Sequence, residues 1–358
     1  MELHKVKLKD LSGFINSDFY KNQKIKPISP KRALSYINNP NGDPQDTVLY
    51  YFLKEKKIIA FRTIWADIIN DNDNLIKFGW LSGNWVSHEY RGKGLAKRIF
   101  KEIFSDWNGK LMFSNYSPEG LKSNKNDFNV VYKHRGIRAY YSVSLKKILK
   151  NRDGKKILKF LSPVVDTFVV LLSKFLKIFY STEMTSEYLF KLMDRLDEDC
   201  MEYVENNKAD HFFKKGAKEF LWMFSYPWVT NNKSDEIPEY PFSSYAKEFY
   251  YKVVKIFRNE NFVGFFIFSV RDGYLKFLYS YFEIKYIEIV AKWLKNYVIA
   301  NNLEVITIYN EELSILLRKK SFPFLYIKDF QMNIYGTFTL PQNLKMKVQD
   351  GDGDYFFT

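Results

Sequence analysis

The chain has 358 residues, a length that predicts two domains. Its single cysteine, Cys200, excludes a disulfide framework, and its four histidines show no spacing that suits zinc, so no metal site is predicted. The net charge of +14 favours anionic partners without choosing between nucleotide phosphates, anionic lipid and nucleic acid. The N-terminal residues lack an apolar signal core, which predicts a cytoplasmic location.

The first 145 residues alternate between strand and helix patterns. Residues 2–7 predict a short strand, and residues 8–37 predict helices that Pro27 and Pro30 interrupt. The next predicted elements are the hairpin strands Thr47–Leu53 and Lys57–Ile69, a strand Leu75–Ser87, a helix Leu95–Trp107, a strand Lys110–Ser114, a short helix ending at Tyr132–Ile137, and a strand Arg138–Leu145.

A glycine-containing loop, Arg91-Gly-Lys-Gly-Leu-Ala96, joins the third long strand to the helix that follows. Such a loop points several backbone N–H groups in one direction, and the helix dipole adds positive potential at the same place. This geometry suits a pyrophosphate. The loop lacks both the Lys-Ser/Thr ending of a P-loop and the three glycines of a dinucleotide fingerprint, so neither of those nucleotide sites is predicted.

The pattern Arg91-x-x-Gly94-x-Ala96, with its Val-x-x-x-Tyr lead-in, resembles the coenzyme A loop of the GNAT acyltransferases. The run Tyr132-x-x-x-Gly136 is similar to that family's Tyr-x-x-x-Gly-Phe signature, with isoleucine in place of the phenylalanine. The order of elements over residues 1–145 also resembles this family. The resemblance implies an acyl-CoA-binding GNAT domain in this part of the chain.

Acetyl-CoA or another acyl-CoA is the co-substrate that the resemblance implies. The end of the third long strand is expected to diverge from its neighbour and to leave main-chain groups for the pantetheine arm, with the N–H of Val86 facing the developing oxyanion. Tyr132 is expected to donate a proton to the departing thiolate. The residues assigned to the CoA site are Asn84, Trp85, Val86, Arg91, Gly92, Lys93, Gly94, Leu95, Ala96 and Asn115.

A general base is not evident in the sequence. Residues 78–87 of the third long strand contain no acid, although many relatives use a carboxylate there. Asp67, His88 and Glu89 are the candidates that lie nearby. A water chain, or an amine that binds already neutral, would remove the need for a base.

Residues 146–181 predict a linker that is first basic and then apolar. Seven lysines and arginines lie between positions 146 and 159, opposed only by Asp153. The stretch Ile157–Phe179 is strongly apolar, but Asp166 and several lysines argue against a membrane span. A helix here would have one polar stripe and a broad apolar face. That face either packs between the domains or lies on an anionic bilayer, with the basic run at the headgroups.

Residues 182–340 resemble a second, degenerate GNAT-like domain. The fold expected is therefore an α/β protein with two GNAT-like mixed-sheet domains and a helical linker. Glu283-Ile-Lys285 stands where the glycine loop would be, and Leu317 stands where the tyrosine would be. The predicted elements are a helix Glu187–Asn206, the hairpin strands Tyr250–Phe257 and Phe262–Val270, a strand Tyr274–Phe282, a helix Tyr286–Ala300, a strand Glu304–Tyr309 and a helix Leu313–Lys320.

Residues 341–358 predict a disordered tail. The run Gln349-Asp-Gly-Asp-Gly-Asp354 has calcium-like spacing, but it lacks the distal glutamate of a calcium loop.

The function expected is transfer of an acyl group from acyl-CoA to a small-molecule amine. By resemblance to proteins of bacterial surface-polysaccharide pathways, the amine is expected to be an amino sugar, nucleotide- or lipid-linked. Two alternatives stay open. The first is a Fem-type peptidyltransferase that uses aminoacyl-tRNA; the net charge favours this alternative, whereas the intact glycine loop argues against it. The second is a non-catalytic protein that binds acyl-CoA or a membrane surface. The second domain is expected either to shape the substrate site or to form a homodimer. Peripheral contact with the inner membrane face is also expected, and nucleic acid is not the favoured partner.

Overall fold

The computed structural model describes residues 1–71, 74–115, 127–142, 163–169, 171, 172, 175, 177, 186–207, 211–338 and 347–357. The chain forms two compact units, each assembled from separate stretches of sequence. Unit 1 consists of Met1–Lys133, Arg195–Phe249 and Met332–Thr358, and unit 2 consists of His134–Asp194 and Tyr250–Gln331. The contiguous domains predicted at 1–145 and 182–340 do not coincide with these units.

The structure is a mixed α/β arrangement of long strands and shorter helices. The strands are β1 (Glu2–Lys7), β2 (Thr47–Lys54), β3 (Lys57–Asp71), β4 (Asn74–Val86), β5 (Leu111–Asn115), β6 (Asn129–Tyr140), β7 (Tyr188–Met193), β8 (Phe249–Arg258), β9 (Asn261–Arg271), β10 (Tyr274–Phe282), β11 (Val305–Ile308) and β12 (Tyr326–Gly336). The helices are α1 (Leu11–Asn16), α2 (Asp18–Lys21), α3 (Pro30–Ile37), α4 (Leu95–Asp106), α5 (Glu198–Asn207), α6 (Ala217–Ser225), α7 (Ile287–Ala300) and α8 (Glu311–Lys319), with further helical residues between 163 and 177.

The sheet of unit 1 has the strand order β1-β2-β3-β4-β5-β12. Its neighbouring strands are antiparallel, except that β4 and β5 are parallel. The β2–β3 hairpin turns at Glu55 and Lys56, whose φ angles of +51° and +62° suit a two-residue turn between twisted strands. The parallel pair requires a crossover, and α4 supplies it.

Helix α4 covers one face of this sheet. Its buried residues Leu95, Ile99 and Ile103 recur every fourth position and pack against Ile64 and Leu81, on strands β3 and β4. Full burial of one such side chain stabilises a fold by about 1.5–3 kcal/mol. This packing fixes the N-terminus of α4 beside the end of β4.

An aromatic cluster covers the opposite face, because successive side chains of a strand alternate between the two faces. Trp65 on β3 lies 6.0 Å from Trp80 on β4, measured between ring centroids. Trp222 on α6 and Phe357 near the C-terminus also contact Trp65. Phe357 stacks on Trp228 at 4.4 Å with nearly parallel rings. The last residues of the chain are therefore part of the core of unit 1.

The sheet of unit 2 has the strand order β6-β11-β10-β9-β8-β7. Here β10 and β11 are the parallel pair, and α7 is the crossover between them. Helices α7 and α8 bury apolar side chains against this sheet, among them Leu294, Val298 and Leu317. Both units thus contain a hairpin, a third strand, a helix and a parallel strand in the same order.

Each unit takes one strand from the other half of the sequence. Residues 137–140 of β6 pair with β11 in unit 2, and residues 333–336 of β12 pair with β5 in unit 1. The chain therefore passes into unit 2 within β6 and returns to unit 1 within β12. These pairings are the physical reason that the compact units are not contiguous in sequence.

Two predicted helices are strands over part of their length in the structure. The helix predicted at Glu187–Asn206 is β7 followed by α5, because residues 188–193 pair with β8 over their whole length. The helix predicted to end at Tyr132–Ile137 is wrong over those residues, which belong to β6. In both cases pairing with a neighbouring strand outweighs a weak local preference.

The described residues between 163 and 177 are helical. Its apolar face is exposed: Val164 is 70% exposed, Phe168 65%, Leu171 59% and Phe175 56%. The basic run predicted at 146–159 lies outside the described residues.

Candidate active site

The parallel strands β4 and β5 separate after a short stretch of pairing. Their pairing covers only residues 79–80 and 111–112, although β4 continues to Val86. On its other edge, β5 stays paired with β12 as far as Asn115. A gap therefore opens between the carboxyl ends of β4 and β5, where the sequence predicts that these strands diverge.

A β-bulge turns the end of β4. Between the pairs Phe61–Trp85 and Thr63–Ser82, two residues of β4 oppose one residue of β3. Gly83 lies in this bulge with a φ of +55°, in the left-handed region that favours glycine.

The direction of the N–H of Val86 follows from the hydrogen bonding of its neighbour. The N–H of Ser87 donates to the carbonyl of Ile59 at 2.9 Å, so this pair is hydrogen-bonded across β3 and β4. Main-chain groups alternate in direction along an antiparallel ladder. The N–H of the preceding residue, Val86, therefore points away from β3 and toward the side where β5 has diverged.

The loop between β4 and α4 is open to solvent. Gly92 and Gly94 have φ angles of +77° and +76°, and a Cβ added at either position would meet no atom within 4 Å. Gly94 is the N-cap of α4, so the amides of the first turn, beginning at Leu95 and Ala96, have no acceptor within the helix. The loop thus presents free space beside the N–H groups of the first helical turn, at the positive end of a helix dipole.

Basic side chains surround this loop. Arg91 donates from Nε to the carbonyl of Val86 at 3.3 Å, which ties the loop to the end of β4. The ammonium groups of Lys93 and Lys54 lie 4.8 Å and 5.5 Å from the centre of the Tyr90 ring. A hydrogen bond to the Tyr90 phenol raises the pKa of Lys54, so this ammonium stays charged. The mouth of the gap is therefore positive and exposed.

Residues 347–357, which belong to the predicted disordered tail, are part of the same site. Residues 347–357 are described, and most of them are buried. The N–H of Phe212 donates to the carbonyl of Lys347 at 2.9 Å, and Phe356 and Phe357 are in the core. Gly353 has a φ of +76°, and a Cβ at this position would lie 2.1 Å from the Trp80 ring. The prediction of disorder is wrong here because the terminal aromatic residues fill the unit 1 core.

Asp354 is the site residue that the sequence did not reveal. Its carboxylate accepts a hydrogen bond from Ser82 Oγ on β4 at 3.2 Å and another from Ser114 Oγ on β5. It therefore bridges the two strands where they have separated. A sequence pattern could not find it, because more than two hundred positions separate Asp354 from either serine.

Asp67, a base candidate from the sequence, is already paired. Both of its oxygens accept hydrogen bonds from the Lys215 ammonium, at 2.6 and 2.8 Å, and both side chains are buried. Burial raises the pKa of the Asp67 carboxyl, and the charge of Lys215 opposes that rise. The other two candidates, His88 and Glu89, are exposed in the turn before the loop. None of the three is seen to bridge the gap.

A buried arginine lies on the same face of β3 as the C-terminal segment. Arg32 of α3 donates from Nε to the Tyr36 phenol and from one Nη to the Tyr240 phenol, both at 3.0 Å. The Tyr36 hydroxyl donates in turn to Thr63 Oγ1 at 3.3 Å. The guanidinium also lies 4.0 Å from the centre of the Trp228 ring. This face of unit 1 therefore combines phenols and indoles with the buried cations Arg32 and Lys215.

The remaining predicted site residues are distributed as follows. Trp85 stacks on Phe61 at 5.5 Å, and Asn84 is exposed at the bulge. Asn115 ends β5. Tyr132 lies on β6 and is 37% exposed. The structure therefore groups the residues of β4, the loop and β5, whereas Tyr132 belongs to a strand rather than to the expected helix.

No protein-family model matches this chain, and no curated protein sequence matches it significantly. Among solved structures, it is similar to a conserved protein of unknown function from Enterococcus faecalis V583, a probable N-acyltransferase, with a TM-score of 0.51 and 11% identity over 93% of this chain and 72% of that chain. It is also similar to a GCN5-related N-acetyltransferase from Anabaena variabilis ATCC 29413, with a TM-score of 0.48 and 9% identity over the same shares, 93% and 72%. The fold of this chain is therefore similar to that of the probable N-acyltransferase.

The order β4, loop, α4, β5 of unit 1 has a counterpart in unit 2 that lacks the loop. There β10 leads through a short 3-10 turn at Ile284–Tyr286 directly into α7. The N-cap of α7 is Tyr286, with a φ of −94°, and it contributes no left-handed glycine. Of the two crossover helices, only α4 begins with an open glycine loop.

No helix in the ranges that the structure describes is long and apolar enough to cross a membrane. Within the same ranges, no group of three or more His, Cys, Asp and Glu side chains is placed to hold a metal ion.

Proposed function

We propose that this chain transfers an acyl group from acyl-CoA to the nitrogen of an amine. The observation that carries the proposal is the open glycine loop at the N-terminus of α4, which lies at the end of a strand that has diverged from its parallel neighbour. The loop offers amides for a pyrophosphate, and the gap offers main-chain groups for an extended arm. Both features belong to unit 1.

The donor would be held by main-chain groups more than by side chains. The amides around Gly92–Ala96 would bind the pyrophosphate, and Arg91 and Lys93 would add charge at its edge. The pantetheine arm would enter the gap along Asn84–Val86 and face Asn115 across it. The N–H of Val86 would then donate to the thioester oxygen, whose negative charge grows as the amine attacks.

We also propose that the two units are related GNAT-like copies, of which unit 2 has lost the donor loop. The repeated order of elements and the parallel pairs β4–β5 and β10–β11 support this. Unit 2 would then shape the acceptor side or mediate dimerisation. An amino sugar is the acceptor that we would test first, because the sequence resemblance implies it.

The decisive variant is Gly94→Trp. A large side chain at this left-handed position would fill the open space of the loop and block the pyrophosphate. Acetyl-CoA at about one hundred times its Kd should stabilise the wild-type chain by about 2.7 kcal/mol, visible as a higher Tm, and the variant should show no such rise. Gly273→Trp is the matched control, since Gly273 also has a positive φ, +83°, but lies in the β9–β10 turn of unit 2.

The control separates loss of binding from backbone strain. Both variants place a non-glycine residue in the left-handed region and should lose similar stability. The control should still respond to acetyl-CoA. An equal response in wild type and Gly94→Trp, or no response in wild type, would contradict the proposal.

A peripheral contact with an anionic lipid surface is the second proposal. Val164, Phe168, Leu171 and Phe175 lie at intervals of four, three and four residues, so they share one face of a helix, and this face is exposed. In the sequence, seven basic residues precede it between positions 146 and 159. Basic residues beside an exposed apolar face are what an interfacial helix needs on an anionic bilayer.

A further inference from the structure

The C-terminal segment places a carboxylate in the gap between β4 and β5. Residues 353–355 form a 3-10 turn that lies against both strands. The turn is held from two sides: Gly353 packs directly on the Trp80 ring, and Phe357 stacks on Trp228. Asp354, between these anchors, has little freedom to move away from the gap.

The hydrogen bonds of Asp354 leave it able to accept a proton. Each carboxylate oxygen accepts one bond, from Ser82 and from Ser114 respectively, whereas each can accept two. The side chain is only partly buried, so a small molecule can reach it. Neither partner is a cation. Asp67 of the same unit differs in its exposure and in its partner: its side chain is fully buried, and it pairs with the Lys215 cation.

The position of Asp354 suits an acceptor that approaches from the face opposite α4. Ser82 and Thr63 point to the face that carries the aromatic cluster, as shown by the hydrogen bond from Tyr36 to Thr63. Helix α4 packs on the other face. A donor bound at the loop and an acceptor bound beside Asp354 would therefore meet in the gap. The charged group that approaches this end of β4 from α3 is Arg32, whose Nη lies 3.6 Å from the position of a Cβ on Gly83.

We infer that Asp354 is the general base of the proposed acyl transfer and that it binds the acceptor as an ammonium ion. This inference rests on the proposed function. The carboxylate takes one proton from the ammonium group, and the neutral nitrogen attacks the thioester carbonyl. The C–N bond forms, the C–S bond breaks, and a second proton passes from the nitrogen to the departing sulfur. The products are an amide, free CoA thiol and one proton, which Asp354 releases to solvent.

The test measures thiol release from acetyl-CoA by the full chain. Glucosamine, ethanolamine and lysine serve in turn as the amine, and the one that gives the fastest release is used. Asp354→Asn should lower kcat by about 100-fold or more, the usual contribution of a general base, while the Kd for acetyl-CoA from calorimetry stays unchanged. In wild type the rate should fall as the pH is lowered, because a protonated carboxylate accepts no proton, and the residual rate of the variant should lose this dependence.

Asp352→Asn is the matched control. Asp352 is a buried carboxylate of the same segment, and it accepts a hydrogen bond from the N–H of Gln349 at 2.8 Å. Its loss should lower the Tm but preserve the pH dependence of the rate. If Asp354→Asn is less stable than this control, Ser82→Ala and Ser114→Ala provide the readout. They keep the carboxylate but remove its orienting donors, so kcat should fall without a change in the Kd for acetyl-CoA.

The outcomes separate the inference from the function on which it rests. If wild type binds acetyl-CoA and releases thiol, and Asp354→Asn does so at a similar rate with the same pH dependence, the inference is wrong and the function stands. If wild type does not bind acetyl-CoA, the proposed function is wrong. If wild type binds acetyl-CoA but releases no thiol with any of the three amines, both the proposed function and the assignment of Asp354 are wrong.

Discussion

The aspartates of unit 1 show how surroundings decide what one side chain can do. Asp67 is enclosed and neutralised by Lys215, so it stabilises the fold. Removing one partner of such a pair leaves an unpaired buried charge, which typically costs about 3–5 kcal/mol. Asp354 meets only hydroxyl groups and remains partly exposed. From sequence, Asp67 and Glu89 are candidate carboxylates and Asp354 is not, and only the contacts in the structure distinguish what these side chains can do.

A substitution at Tyr132 tests whether the resemblance of Tyr132-x-x-x-Gly136 to the family's tyrosine signature extends to its chemical role. If its phenol protonates the thiolate, Tyr132→Phe should slow thiol release from acetyl-CoA by about 100-fold, and the Kd for acetyl-CoA should not change. The matched control is Tyr274→Phe, because Tyr274 is a tyrosine of similar exposure, 36%, on β10 of unit 2. An unchanged rate in Tyr132→Phe would show that Tyr132 is not the proton donor to the thiolate.

At the scale of elements, Gly136 illustrates a glycine that packing requires. It lies on β6, and a Cβ there would be 2.0 Å from the carbonyl oxygen of Ile308 on β11. The backbones of these strands approach too closely for any side chain. The close approach of β6 and β11 in unit 2 therefore explains why glycine is needed at position 136, which matches the glycine of the Tyr-x-x-x-Gly-Phe signature.

Gly136→Ala should destabilise the chain by about 3 kcal/mol, because the overlap is with backbone that cannot rotate away. Urea unfolding followed by far-UV circular dichroism would measure this. Gly13→Ala is the control, since a Cβ on Gly13 in α1 meets no atom within 4 Å. That change should be neutral or slightly stabilising in a helix. Equal stability of Gly136→Ala and wild type would mean that β6 and β11 are not paired in this register.

Local elements were predictable where the pattern was strong. The hairpins β2–β3 and β8–β9 follow from apolar runs around short polar turns, and α4 follows from its regular spacing of apolar residues. Strand β10 has the predicted bounds, Tyr274–Phe282. The glycine loop lies where predicted because its signal is local.

Long-range pairing was not predictable in the same way. The run 188–193 becomes β7 only because β8 lies beside it, and β12 was not predicted at all. The exchange of β6 and β12 between units depends on partners far away in sequence. The burial of residues 349–357 depends on tryptophans contributed by other elements. For the same reason Asp354 was missed.

At the scale of the whole molecule, the net charge of +14 and the exposed helical face between residues 163 and 177 belong to one prediction. The chain should sediment with vesicles that contain phosphatidylglycerol and not with phosphatidylcholine alone, and high salt should weaken the association. Phe168→Glu should reduce it strongly by placing a charge in the apolar face.

Leu189→Glu provides the control for this experiment. Leu189 is 63% exposed in unit 2 but lies on β7, away from the helical segment in sequence. Its substitution should leave vesicle binding unchanged. Equal loss in both variants would show that general charge, and not the helical face, governs the association.

The two units differ in one feature that matters for stoichiometry. Both have a crossover helix between parallel strands, but only the helix of unit 1 begins with positive-φ glycines and open space. If the loop is what holds the donor, the chain should have a single donor site. The two units would then share their order of elements, but only unit 1 would bind the acyl-CoA donor.

Titration of acetyl-CoA into the purified chain by isothermal calorimetry tests the central claim most directly. The account predicts saturable heat with one acetyl-CoA bound per chain, lost in Gly94→Trp and preserved in Gly273→Trp. Absence of heat in wild type, or a binding curve that survives Gly94→Trp unchanged, would contradict the assignment of the loop to the donor pyrophosphate.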